Sequence, residues 1–181
     1  RIGVVLSPES TNEDNYALMK VAQSLGLTRI YVGGKSPVPE RQDNILRSAD
    51  VNPNTAGVKA ISGGKAKGAA QLSAALAAHE ISALWILGPT VALDDEAVAM
   101  LANLELVIYQ STHETAIAAA AHVVLPSAAW AEVDGTFTNV KGTVQRLRRA
   151  VDAPGEALPN HTLIGRFAKR LAVAAEWPMA R

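Results

Sequence analysis

"SALWILGPTVALDDEAVAMLANLELVIYQ", residues 82–110, decides the fold class of this chain. Two short apolar runs, 82–88 and 105–110, flank a segment in which three acidic residues begin an apolar pattern of helical period. A strand, a helix and a second strand in this order form a right-handed crossover unit, and the two strands of such a unit are parallel. The stretch therefore predicts a parallel sheet covered by helices.

The same alternation continues on both sides of this stretch. Short apolar runs predict three more strands, at 1–7, 28–34 and 122–126. Helices are predicted at 10–26, 69–80 and 112–121, the first with a Ser10–Glu13 capping box and a stop at Gly26. We therefore predict an α/β fold of the Rossmann-like, doubly wound type, with a mainly parallel sheet of about five strands.

The segment "AEVDGTFTNVKGTVQRLRRA", residues 131–150, departs from this rhythm and predicts a C-terminal β-hairpin. Asn139 to Gly142 fits a type I turn with Gly142 in the left-handed position, and Gly135 is interpreted as a bend into the first arm. The run Arg146–Arg149 is either a solvated strand face or a contact for an acidic partner. A final helix is predicted at 160–175, capped by Asn160.

Residues 35–68 are rich in Pro, Gly and Asn and predict a long loop with one short helix near Ile45. Loops of this length within a compact domain are often functional or mobile. The 181 residues suit a single domain spanning 1–181. Because the chain begins at Arg1 directly before a strand, we expect it to be a fragment of a longer subunit.

Composition narrows the class of partners. Lys and Arg total 17, as do Asp and Glu, so the formal net charge is zero, and we expect neither nucleic-acid binding nor an electrostatically held membrane surface. There are no cysteines, which removes disulfides and cysteine-ligated clusters. No apolar run has the length of about 18 residues that a membrane helix needs, so we expect no direct membrane insertion.

Open parallel sheets bind ligands at the carboxyl ends of their strands, so any functional residues are expected there. No glycine-rich dinucleotide or phosphate-loop motif follows a strand, and no two of the four histidines have a metal-binding spacing. The sequence therefore predicts no catalytic residue and no metal ligand. The residues expected at this edge are Ser7 to Asn12, Gly33, Gly34, Gly88 to Thr90, Gln110 to Thr115, Pro126 and Ser127.

Several segments resemble the molybdopterin oxidoreductases. "HVVLP" is followed by "EVDGTFTNVKGTVQ", with Glu132, Gly135, Thr136, Asn139, Gly142 and Gln145 at the family's spacing, and by "PGEA". "STNEDNY" resembles a further motif of the family, and the middle of the chain looks like the version in the large iron–sulfur subunit of NADH:quinone oxidoreductase, respiratory complex I. Family members bind molybdopterin guanine dinucleotide, or iron–sulfur clusters in an N-terminal part.

The resemblance has departures. His122 stands where the family has Asp, Lys141 replaces Glu, Thr143 replaces Arg, and Gln110 ends a strand where Asp is common. After the third strand, "GPTVAL", residues 88–93, lacks the G-x-N-P loop seen in the cofactor-binding members. These departures indicate lost partners for a guanine, and the first hypothesis is therefore a cofactor-free copy within complex I. It implies a structural or docking role, contact with the other subunits of the peripheral arm, and a cytoplasmic location against the inner face of the membrane.

Two other hypotheses stay open. In the alternative, the chain is the guanine-dinucleotide-binding part of an active molybdenum or tungsten oxidoreductase such as a formate dehydrogenase. The resemblance then implies cofactor contacts at Gly88, Gln110, Thr112, Glu114, Thr115 and Asn139. A free-standing Rossmann-like binding module leaves the hairpin spacing unexplained.

Overall fold

Strands and helices alternate in the computed structural model, which describes residues 1–173. Five parallel strands form a sheet in the order β2-β1-β3-β4-β5, and β6 and β7 form a separate antiparallel pair. The strands are β1 Ile2–Leu6, β2 Arg29–Val32, β3 Ala83–Leu87, β4 Leu106–Ser111, β5 Val123–Pro126, β6 Gly135–Thr138 and β7 Val144–Leu147. The helices are α1 Asn12–Ser24, α2 Thr55–Ile61, α3 Ala69–Ala77, α4 Asp95–Leu101, α5 Ala116–Ala120 and α6 Asn160–Arg170. The predicted fold class is confirmed.

Helices cover both faces of the sheet. Because side chains alternate along a strand, Val4 and Leu6 of β1 pack on one face with α1, α2 and α6, while Val5 packs on the other with α3, α4 and α5. Both groups are buried, which explains why the strands have continuous apolar sequences rather than alternating ones. No helix within residues 1–173 is long and apolar enough to span a membrane.

Helix α1 begins one residue later than the predicted capping box requires. Thr11 is the cap: its hydroxyl accepts the backbone N–H of Asp14 at 3.1 Å, and the Asp14 carboxylate accepts the Thr11 N–H at 3.2 Å. The predicted Ser10–Glu13 pair is therefore wrong. Both pairs have the same spacing, but the Glu13 carboxylate accepts a hydrogen bond from strand β6 instead. The predicted stop is confirmed, since Gly26 has a φ of +65°.

The predicted helix near Ile45 is wrong. Residues 43–47 form a turn in which the Asp43 carboxylate accepts three backbone N–H groups. Those hydrogen bonds, from Arg47, Leu46 and Ile45, lower the pKa of Asp43 from its ordinary value. Ile45 and Leu46 are exposed and have no face to bury, so a helix here would gain nothing from packing.

Helix α2 lies instead further along the predicted loop. Its Val58 is buried in the core beneath α1, and this burial stabilises a seven-residue helix that propensity alone would not. Gly57 faces the side chains of Asn12 and Asn54 so closely that a methyl group would overlap both. The glycine that made the segment look like a loop is needed for close packing.

The hairpin has the predicted turn. Gly142 has a φ of +81°, its N–H donates to the Asn139 carbonyl at 2.8 Å, and the Asn139 N–H donates to the Thr143 carbonyl at 3.0 Å. Gly135 was interpreted as a bend, but it is the first residue of β6 and presses against the start of α1. A methyl group there would lie 2.8 Å from Thr11 Cγ2.

Strand β6 is fixed to α1 by hydrogen bonds. Glu13 accepts the Thr136 N–H at 2.8 Å and the Thr136 hydroxyl at 3.0 Å. The Asn12 amide donates to the hydroxyls of Thr136 and Thr138, both at 3.0 Å, and Asn54 accepts the Thr138 N–H at 2.8 Å. The hairpin is thus held at its base over the first turn of α1.

The final helix differs from its prediction at both ends. Pro159 is the cap, and Asn160 is the first helical residue, with its side chain turned toward the sheet. The helix ends at Arg170 because Ala172 has a φ of +54°, which a helix cannot include. Of the predicted range 160–175, residues 174 and 175 lie outside the described residues.

The structure is compatible with both interpretations of the basic run Arg146–Arg149, a solvated strand face and a contact for an acidic partner. Arg146 and Arg148 are exposed, and Arg149 forms an ion pair with Asp152 at 3.3 Å. Exposed pairs of this kind contribute little to stability. Contact of this run with an acidic partner stays a prediction.

Candidate functional site

A cleft of ≈220 Å³ lies at the carboxyl edge of the sheet. The strand order reverses between β1 and β3, because the chain moves outward from β1 to β2 and then returns to build β3, β4 and β5. The loops after β1 and β3 leave toward opposite faces, and this divergence opens a crevice where such folds bind ligands. The cleft is lined by Glu9 to Thr11, Asp14, Gly88, Pro89, Gln110 to His113, Ser127 to Trp130, Val133, Phe137 and Asn160.

Hydrogen bonds fix the β1 side of the cleft. The buried Asn15 side chain accepts the Ser7 N–H and donates to the carbonyls of Ser7 and Thr11, each at 2.8 Å. Gly88, at the end of β3, has a φ of +90°, and a methyl group on it would overlap the Ser7 side chain. At the switch point, the backbone of Gly88 therefore packs directly against the side chain of Ser7.

The β2 side of the crevice is closed. The Gly34 N–H donates to the Thr90 carbonyl at 2.8 Å, which brings the loops after β2 and β3 together across the end of β1. The Gly33 N–H donates to the Leu6 carbonyl at 2.8 Å. The open part of the crevice therefore extends only toward β4 and β5.

A buried polar network forms the floor of the cleft. Gln110 is fully buried, accepts the Trp85 indole N–H at 2.6 Å and donates to Asn160 Oδ1 at 3.1 Å. The Ser127 hydroxyl donates to the same oxygen at 2.7 Å. The network ties β3, β4, the loop after β5 and α6 together, so the Gln110 side chain is largely committed to the protein itself.

The loop after β4 forms a second wall. The Ser111 hydroxyl donates to the His113 carbonyl at 2.7 Å, and the Thr112 hydroxyl lies 2.7 Å from His113 Nδ1. The His113 ring is exposed and held by its neighbours. This wall offers hydroxyl and imidazole groups to a ligand.

The six residues predicted to contact a cofactor do not all meet. Gly88, Gln110 and Thr112 line the cleft. Glu114, Thr115 and Asn139 do not, although Thr115 supports the wall through its hydroxyl, 3.0 Å from the Tyr109 hydroxyl. The Asn139 side chain accepts the N–H groups of Lys141 and Thr143 within its own turn, both at 3.0 Å.

Most of the departures from the family pattern also lie away from the cleft. His122 accepts the Val107 N–H at 3.1 Å, at the amino-terminal ends of β4 and β5, on the opposite edge of the sheet. Lys141 and Thr143 are exposed in the hairpin turn. Of the five departures, Gln110 and the loop after β3, through Gly88 and Pro89, line the cleft. The other three are no argument against a ligand there.

Sequence reasoning missed the wall after β5. Ala128, Ala129, Trp130, Val133 and Phe137 line the cleft, and none was a candidate. The signal was a Trp placed shortly after a predicted strand end, in a chain with only three Trp residues. The contribution of α6 through Asn160 was also missed, since nothing local in its sequence indicates that it reaches the sheet.

The electrostatics of the cleft are acidic. Glu9 and Asp14 line it, and in the part of the chain that the structure describes no Lys or Arg does. Glu9 pairs with Lys35 at 3.0 Å, and Asp14 accepts the His161 N–H at 2.9 Å while His161 Nδ1 lies 2.9 Å from the same oxygen. Within residues 1–173, no three His, Asp or Glu side chains gather as a metal site.

The fold is a doubly wound sheet with a cleft at its switch point, the place where open α/β sheets bind ligands. The chain belongs to the molybdopterin oxidoreductase family, whose model matches residues 9–170. The predicted resemblance to this family is thus confirmed, whereas the closer likeness to the complex I subunit is not shown.

Among curated proteins, the chain is similar to formate dehydrogenases and nitrate reductases. It is 42% identical over 99 residues to the F420-dependent formate dehydrogenase 2 subunit alpha of Methanococcus maripaludis, covering 52% of this chain and 15% of that protein. The corresponding subunit of Methanocaldococcus jannaschii is 41% identical over 95 residues, covering 50% and 14%. A nitrate reductase of Klebsiella oxytoca is 37% identical over 106 residues, covering 56% and 12%. The chain therefore spans a small part of the length of these relatives.

Proposed function

We propose that this chain is the guanine-dinucleotide-binding part of a molybdenum or tungsten oxidoreductase, of which formate dehydrogenase is the leading example. The observation that carries the proposal is the cleft at the switch point, found in a chain whose relatives include two formate dehydrogenase alpha subunits at 42% and 41% identity. The relatives named above support this alternative better than the complex I hypothesis, since none of them is a complex I subunit.

The cleft fits one end of such a cofactor. Sites for whole small molecules span roughly 300–1,000 Å³, so the ≈220 Å³ here suits a nucleoside-sized portion. Gly88 brings backbone to the cleft without a side chain, and Thr112 brings a hydroxyl. The bound metal would supply the redox chemistry, and the residues of this chain would bind and orient the nucleotide end of the cofactor.

A specific observation favours a second candidate, the cofactor-free domain of complex I. The side chain of Gln110 already has hydrogen-bond partners within the protein, which leaves fewer groups in the cleft for a guanine. In that case the chain would dock against the other subunits of the peripheral arm, on the cytoplasmic side of the membrane, and bind no nucleotide.

Nucleotide binding separates the two candidates. We expect GDP to raise the thermal stability of the chain, by about 2.7 kcal/mol at a ligand concentration 100 times Kd, and ADP to do so far less. Differential scanning fluorimetry with increasing GDP measures this. The absence of any shift at millimolar GDP contradicts the proposal and favours the cofactor-free candidate.

A matched pair of threonine variants locates the site. Thr112→Val removes a hydroxyl from the cleft wall, and we expect it to weaken GDP binding about fivefold, the equivalent of one ordinary hydrogen bond. Thr143→Val removes a hydroxyl from the exposed hairpin turn and should leave GDP binding unchanged. Equal effects of the two variants would contradict binding in the cleft.

A further inference from the structure

Trp130 is an exposed aromatic residue on the wall of the cleft. Its side chain is 66% exposed, although a Trp gains more than most residues from burial. It begins the short 3₁₀ turn Trp130–Glu132, which is fixed because the Ala129 N–H donates to the Glu132 carboxylate at 2.8 Å. Val133, the residue directly after this turn, is buried. The indole is thus presented to solvent by a rigid backbone.

Several other residues that line the cleft are apolar. Pro89 lies after β3, Ala128 and Ala129 follow β5, and Phe137 belongs to β6. Apolar walls and an exposed indole suit a flat ring system, which stacks on an aromatic face and loses contact with water on both of its own faces.

The charges of the cleft disfavour a diphosphate. Glu9 and Asp14 line the cleft with carboxylates. The Lys35 ammonium is already paired with Glu9. Among the described residues no Lys or Arg lines the cleft. Diphosphate sites normally rely on such cations or on an uncompensated helix N-terminus, and here Asp14 and Glu13 occupy the first turn of α1.

We propose that Trp130 is the stacking residue for the purine base of a guanine nucleotide, and that the cleft selects the base while the diphosphate lies outside it. This inference rests on the proposed function and deepens it, because it assigns one chemical part of the ligand to this cleft. Trp130 is then a specificity-determining residue that contacts the ligand.

The test compares guanosine, GDP and pyrophosphate as probes of the 181-residue chain by isothermal titration and by NMR. We expect guanosine to bind within about threefold of GDP, and pyrophosphate not to compete with either. Trp130→Ala should weaken guanosine and GDP binding about 5- to 100-fold, the usual cost of losing one base–aromatic stack, while Trp130→Phe should retain most of the affinity.

The control is Tyr16→Ala, which removes another exposed aromatic residue, one that does not line the cleft. Its nucleotide affinity should equal that of the unaltered chain, and circular dichroism should show all three variants folded. If GDP binds but Trp130→Ala does not weaken it, or if pyrophosphate competes, the inference is overturned while the proposed function stands. If neither guanosine nor GDP binds, both are overturned.

Discussion

The base and the tip of the hairpin both carry residues of the family pattern, yet they are held by different contacts. The base, Gly135–Thr138, is held against α1 by the Glu13 carboxylate and the Asn12 amide. The tip, Asn139–Thr143, is exposed beyond the half-buried Asn139 and is hydrogen-bonded within itself. The same regular spacing therefore reflects docking onto a helix in one region and turn geometry in the other.

This difference bears on function. The base borders the cleft through Phe137, whereas no residue of the tip lines it. Substitutions at the tip, including Lys141 and Thr143, thus leave the cleft unchanged, and loss of the family's residues there does not imply loss of its ligand. Substitutions in the two regions should therefore differ in their effects on stability and on binding.

The largest expected effect is at Gly135. A Gly135→Ala methyl group would lie 2.8 Å from Thr11 Cγ2 and 2.9 Å from a Glu13 oxygen, so β6 must shift away from α1. We expect a loss of about 3 kcal/mol in the free energy of unfolding, the cost of overpacking with disruption of the adjacent hydrogen bonds. Urea denaturation measures it, and a loss below about 1 kcal/mol would mean that the base is not tightly docked.

Glu13→Ala should be the next largest. It leaves the Thr136 N–H and hydroxyl without their acceptor, and we expect a loss of about 2 kcal/mol. The control is Glu96→Ala, at the same second position of α4 but exposed, where only the helix-dipole contribution of about 0.5 kcal/mol is lost. Equal losses in the two variants would show that Glu13 acts through the helix and not through β6.

Gly142→Ala tests the tip. Its φ of +81° is unfavourable for alanine, but no atom lies within 4 Å of the added methyl group. The expected loss is therefore about 1 kcal/mol, smaller than at Gly135. A loss larger than that of Gly135→Ala, in the same urea experiment, would reverse the comparison.

The smallest effect is expected when the family's residues are restored at the tip. The double variant Lys141→Glu and Thr143→Arg changes exposed side chains, so its stability should stay within about 0.5 kcal/mol. Its GDP affinity should also be unchanged. A clear gain of GDP affinity would show that the tip takes part in binding and that its substitutions matter.

The sheet and the hairpin could be predicted because they depend on local patterns. Apolar runs define buried strands, and Asn139 and Gly142 define their turn. Helix α2 could not be predicted, because Gly57 looks like a helix breaker until the side chains of Asn12 and Asn54 are seen against it. Helix α1 starts one residue after its predicted start for a similar reason. The Glu13 carboxylate accepts a hydrogen bond from Thr136 of β6, more than 100 positions away in the sequence.

For the candidate site, only its location at the carboxyl edge of the sheet could be predicted. The rule for open parallel sheets places ligands at the carboxyl ends of the strands, and Gly88 and Thr112 lie there. Whether a side chain faces the cleft depends on long-range packing. Gln110 is committed to Trp85 and Asn160, while Trp130, which no motif indicated, stands exposed on the wall.

The most direct test of the central claim is the mapping of GDP-induced chemical-shift changes on the isotope-labelled chain. We predict changes in the amide signals of Gly88, Thr112 and Ser127 and in the indole N–H signal of Trp130, with none at the hairpin tip. The loss of one indole signal in Trp130→Phe identifies that resonance. No change at saturating millimolar GDP, or changes confined to residues outside the cleft, would contradict a guanine-nucleotide site at the switch point.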